Sequence, residues 1–73
     1  MSAEDQARAL LAEALGVSGD AITEATAPFQ TAEWNSLAHM RLVLALEEAI
    51  GTPLGPDQIV SIGGFPDVVA LLS

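Results

Sequence analysis

Trp34-Asn35-Ser36-Leu37-Ala38-His39-Met40-Arg41-Leu42-Val43-Leu44-Ala45-Leu46-Glu47-Glu48 contains neither proline nor glycine after its opening Asn-Ser, and Gly51 follows three residues on. Asn35 is a good N-cap and Gly51 a good stop, so the spacing predicts a helix from Ser36 to about Ile50. Its apolar residues do not lie on one stripe. With about 100° per residue and Leu42 set at 0°, Leu46 falls near 40°, His39 near 60°, Ile50 near 80° and Val43 near 100°, which makes a core arc. A second arc holds Met40 near 160°, Leu44 near 200° and Leu37 near 220°, edged by Glu47, Glu48 and Arg41 at about 140°, 240° and 260°. Exposed apolar groups rimmed by charge are the pattern of a transient docking surface; the alternative is that the long loop or a dimer partner covers Leu37, Met40 and Leu44. Ser36, near 120°, stands at the border of the two arcs, where first-turn N–H groups and the helix dipole favour an anion.

Outward from this helix, the remainder reads as further helices. Ser2 caps a first helix over about Ala3–Leu15, on which Ala3, Ala7, Leu10, Leu11, Ala14 and Leu15 form one stripe. Glu4 and Arg8 are spaced to pair on its outer side, and Gly16 stops it. From Val17 to Asn35 the pattern breaks. Gly19, Pro28, Ser18, Thr23, Thr26 and Thr31 argue for an ordered loop, with Val17, Ile22, Phe29 and Trp34 as its anchors to the core. A loop of that length in a small domain is more often functional than not. After a Thr52-Pro53-Leu54 turn, Pro56 opens a short helix through Ser61, and Gly63-Gly64 interrupts the chain. Pro66 opens a last helix with Phe65, Val68, Val69 and Leu72 inward. No strand alternation and no internal repeat occur. The expected fold is all-α: a small four-helix bundle of three main helices and one short one.

At 73 residues the chain is expected to be one domain spanning 1–73. Domains of this size bury only roughly 60% of the unfolded surface, which leaves little room for a deep catalytic pocket. Cysteine is absent, so packing alone must hold the fold and a cytoplasmic location is expected. The net charge is −8, with Arg8 and Arg41 the only Lys or Arg residues. Nucleic acid and anionic membranes are therefore poor partners, whereas basic patches on proteins are good ones. No apolar run approaches the roughly 20 residues that span a bilayer. The acidic start, Met1-Ser2-Ala3-Glu4-Asp5, does not read as a signal peptide, and a soluble monomer is expected.

The segment from Trp34 to Glu48, with the loop before it and Gly51 behind it, resembles the carrier domain of acyl carrier proteins, and the likeness extends over nearly the whole chain. In that family the serine of an Asp-Ser-Leu motif receives a 4′-phosphopantetheine arm from coenzyme A, installed by a Mg²⁺-dependent phosphopantetheinyl transferase. The arm's thiol holds acyl groups as thioesters and moves them between acyl-loading and acyl-using enzymes. The resemblance implies that Ser36 is the attachment site and that Asn35, Leu37, Met40, Arg41, Leu44, Glu47 and Glu48 form the face offered to partner enzymes. It also accounts for a carrier without cysteine, because the reactive thiol belongs to the arm.

The chain departs from the family pattern at three places. Asn35 replaces the usual Asp, an equal cap without the carboxylate. Arg41 stands where many relatives are acidic, which narrows partner choice by repelling wrong partners. Ala38 and His39 differ from the more acidic carriers of fatty-acid synthesis. Together these point to a carrier dedicated to one pathway. The alternative is the same bundle, unmodified, acting as an interaction module through Leu37, Met40 and Leu44. An enzyme would have to use Ser36 and His39, three apart on one helix, with no orienting carboxylate or pocket in view. His39 reads instead as a packed, satisfied histidine, and no metal-ligand spacing is present.

Overall fold

The structure is a computed structural model that describes residues 2–30 and 32–73; Met1 and Thr31, the latter counted above among the loop hydroxyls, lie outside them. Four α-helices occur among the described residues, with no strand: α1 Ala3–Leu15, α2 Ser36–Ile50, α3 Pro56–Ser61 and α4 Phe65–Leu72. Among the described residues one 3-10 turn, Gly19–Ala21, interrupts the long loop. Each boundary has a local cause. Ser2 Oγ accepts the Asp5 N–H at 3.1 Å to start α1. Gly51, at φ +80°, ends α2 in the left-handed region where a side chain would be strained. Pro56 occupies the first position of α3, where its missing N–H costs nothing.

α1 packs against both α2 and α4, and α2 also meets α4. The centre is built from Leu11, Leu42, Leu46, Val68 and Trp34, each essentially inaccessible to solvent. Burying one such side chain is worth about 1.5–3 kcal/mol, so these few residues dominate the packing. The expected inner stripe of α1 holds for Ala7, Leu11, Ala14 and Leu15, while Ala3 and Leu10 are half-buried. Ala38 joins the core as well, because the small side chain lets α2 approach its neighbours.

α3 stands apart from this arrangement. None of its six residues is buried; it is held by Leu54 before it and Ile62 after it, both in the core. The loop is tied to α4 by one close approach. A Cβ at Gly64 would lie 2.9 Å from the Thr26 carbonyl oxygen, and the Phe65 N–H donates to that same oxygen at 3.3 Å. Only glycine lets the two backbones come so near.

Arg8 is not simply an outer-side residue. It pairs with Glu4 at 3.6 Å, donates to the Ile22 carbonyl and lies 4.9 Å from the centroid of the Phe65 ring. One guanidinium thus joins α1, the loop and α4. Of the four expected loop anchors, Ile22 and Trp34 are buried and Val17 is half-buried. Phe29 is the correction: it adopts φ +63°, donates its N–H to the Trp34 carbonyl at 2.8 Å, and its side chain is 67% exposed. The left-handed backbone at Phe29 itself carries the ring outward.

Candidate functional site

The start of α2 separates two tasks between neighbours. Asn35 is extended (φ −94°, ψ −175°), and its Oδ1 accepts the Ala38 N–H at 2.9 Å. Its Nδ2 reaches the Ala32 carbonyl at 3.4 Å, so the amide uses both ends. Capping is therefore complete without Ser36, which is exposed one residue inside the helix. The other four serines all have engaged hydroxyls: Ser2 and Ser18 accept backbone N–H groups, and Ser61 and Ser73 donate to carbonyls. Ser36 is the serine whose hydroxyl has no partner among the described residues.

The second arc of α2 is open. Leu37, Met40 and Leu44 are 60%, 51% and 62% exposed, so neither the loop nor another helix covers them. Arg41 and Glu48 are exposed at its rim. Arg41 leans toward α1, where it lines a shallow groove of about 320 Å³ with Leu10, Glu13 and Ala45. Glu47 differs from the rest of the expected set. It is half-buried, and its Oε2 accepts the Leu54 N–H at 2.8 Å, so the carboxylate closes the α2–α3 turn.

Two further exposed apolar residues, Phe29 and Val60, were not among the expected site residues. They border a cavity of about 470 Å³ between the loop and α3, with His39 and Ile59 also in its wall. Periodicity along α2 could not reveal this lobe, because its members come from the loop and from a helix too short to show a stripe.

His39 is half-buried where the loop, α2 and α3 meet. The Trp34 indole Nε1–H donates to its Nδ1 at 3.0 Å, and its Nε2 lies 3.1 Å from the Ile59 carbonyl oxygen. An indole N–H can only donate and a carbonyl can only accept, which assigns the neutral ring with its proton on Nε2. Both nitrogens are used. His39 therefore has no free lone pair with which to activate Ser36, and a serine–histidine nucleophilic pair is not formed. Among the described residues no three His, Cys, Asp or Glu side chains gather as a metal site, and no helix is long and apolar enough to cross a membrane.

Comparison with curated proteins gave no match. The phosphopantetheine attachment site family, in contrast, matches residues 5–72, from the first turn of α1 to the end of α4. With an all-helical fold, an open serine at a capped helix start and no catalytic constellation around it, the chain belongs to the phosphopantetheine attachment site family, whose members are non-catalytic carriers bearing a 4′-phosphopantetheine group.

Proposed function

We propose that this chain is an acyl or peptidyl-type carrier that receives its arm on Ser36 and serves one dedicated biosynthetic pathway rather than general fatty-acid synthesis. The observation that carries the assignment to Ser36 is its free hydroxyl: among the described residues it is the one serine of five that neither caps nor braces the backbone. The surroundings suit a phosphodiester. The Ala38 N–H is taken by Asn35, but the Ser36 and Leu37 N–H groups have no backbone partner among the described residues. These and the positive end of a 15-residue helix favour an anionic substituent by about 0.3–1 kcal/mol. When bound, the group supplies a terminal thiol able to hold acyl groups as thioesters.

The protein's own residues orient and advertise that position. Asn35 fixes the helix start, so the hydroxyl projects at a constant angle from a rigid element. Leu37, Met40 and Leu44 offer an apolar contact, and the net charge of −8 steers the domain toward basic surfaces on partner enzymes. Arg41 places one positive charge beside that contact, which disfavours partners built for a wholly acidic face. A chain without cysteine fits work in a reducing compartment such as the cytoplasm.

Intact-mass measurement after incubation with coenzyme A and a promiscuous phosphopantetheinyl transferase tests the assignment. The wild-type chain gains one arm and Ser36→Ala gains none. A wild-type chain left unmodified by several transferases makes the unmodified interaction module the better account. A spectrum of the loaded form from its native cell identifies the cargo and hence the pathway.

A further inference from the structure

We infer that His39 is a positioning residue for the loading of Ser36, acting through the Trp34–His39–Ile59 hydrogen-bond chain; the inference rests on Ser36 being the loaded residue. His39 lies one helical turn beyond Ser36 on α2, and residues three apart on a helix are surface neighbours. Its two bonds reach out from that turn in different directions. Through Nδ1 it holds Trp34, whose carbonyl in turn closes the loop by accepting the Phe29 N–H at 2.8 Å. Through Nε2 it holds the backbone of α3 at Ile59.

α3 needs that second bond more than the other helices would, because none of its own residues is fully buried and its packing against the core rests on the half-buried Ile59. What the chain of bonds holds in place adds little to folding. Phe29 and Val60 are 67% and 84% exposed, so fixing their positions removes only a minor part of their apolar surface from water. The ordered product is an external apolar lobe that shares its wall with His39, one helical turn from Ser36 and on a different side of α2 from Leu37, Met40 and Leu44. An enzyme that reaches Ser36 meets both lobes, and His39 sets the distance and angle between them. The imidazole touches no reacting atom; its effect passes through the loop and α3.

Steady-state loading with coenzyme A and one phosphopantetheinyl transferase, at varied carrier concentration, tests this on the full chain. His39→Leu keeps the volume and removes both bonds, and Trp34→Phe removes the indole donor together with part of a fully buried ring, so its melt is taken beside its kinetics. His39→Gln offers one acceptor and one donor again. The KM for the carrier rises about three- to tenfold in His39→Leu, as expected for loss of one or two net hydrogen bonds felt only through positioning, with kcat little changed. Trp34→Phe shows a smaller rise in the same parameter, and His39→Gln restores most of the loss. Imidazole ¹⁵N shifts of the wild type show the Nε2-protonated neutral ring. Folded His39→Leu that loads with the wild-type KM overturns the inference, as does an Nδ1-protonated ring. If His39→Leu does not fold, an unchanged KM in Trp34→Phe has the same force. A wild-type chain that accepts no arm refutes the reading of Ser36 itself, and that result is separate because it precedes any variant.

Discussion

Replacing Asn35 and Ser36 by alanine, one at a time, separates the cap from the hydroxyl it leaves free. Asn35→Ala removes the acceptor 2.9 Å from the Ala38 N–H and the longer 3.4 Å contact to the Ala32 carbonyl. Loss of an N-cap costs about 0.5–2 kcal/mol. For a domain of this size each kcal/mol lowers Tm by roughly 4–8 °C, so a drop of about 2–16 °C is expected. Ser36→Ala removes no hydrogen bond among the described residues and places the best helix former inside the first turn. Its stability should stay within about 0.5 kcal/mol of wild type, on the favourable side if anything. Far-UV circular dichroism melts and urea midpoints measure both. Intact mass then gives the complementary result: Asn35→Ala still accepts an arm below its Tm, and Ser36→Ala accepts none. If Ser36→Ala melts as early as Asn35→Ala, the serine is the cap and the argument for its free hydroxyl fails.

Three other substitutions read different parts of the fold. Gly64→Ala brings a Cβ to 2.9 Å from the Thr26 carbonyl and should cost about 1–3 kcal/mol in urea unfolding, whereas Gly19→Ala, whose nearest neighbours are Arg8 methylenes at 3.7 Å, serves as the mild control. Arg8→Met keeps a long side chain over Phe65 but loses the bond to the Ile22 carbonyl and the cation over the ring; a loss of about 1–3 kcal/mol in the same assay is expected. Leu44→Ser, at a position 62% exposed, should change stability by less than about 0.5 kcal/mol while raising the KM for loading severalfold, so that a melt and a kinetic series on one sample distinguish a docking residue from a packed one.

The helices of this chain are legible because their signals are local. Asn35 and Gly51 bracket α2, Ser2 and Gly16 bracket α1, and Pro56 opens α3; each acts through its own backbone or the next turn. The split of α2 into a buried arc and an open one is likewise local, since 3.6-residue periodicity places Leu42 and Leu46 apart from Leu37, Met40 and Leu44. Contacts between distant segments are harder to see. Nothing in the pattern says that Arg8 reaches the Ile22 carbonyl and Phe65, or that Glu47 turns inward to the Leu54 N–H. Phe29 misleads for a related reason. Large apolar size argues for an anchor, but a left-handed φ in a loop decides the direction of the ring, and a residue type other than glycine gives little warning of it. For His39, the core-side angle already indicates a satisfied ring, while its partners, 5 residues before and 20 residues after it, emerge only with the tertiary structure.

The buried indole also gives the protein a built-in optical probe. Trp34 is the only tryptophan and the chain has no tyrosine, so ultraviolet emission comes essentially from one fully enclosed ring. That ring is hydrogen-bonded to an imidazole one turn from the open serine, so a visitor that disturbs the imidazole should change its colour or brightness. Titrations on that side of the molecule can therefore be followed on unlabelled protein, without adding a dye to the surface whose recognition is being measured.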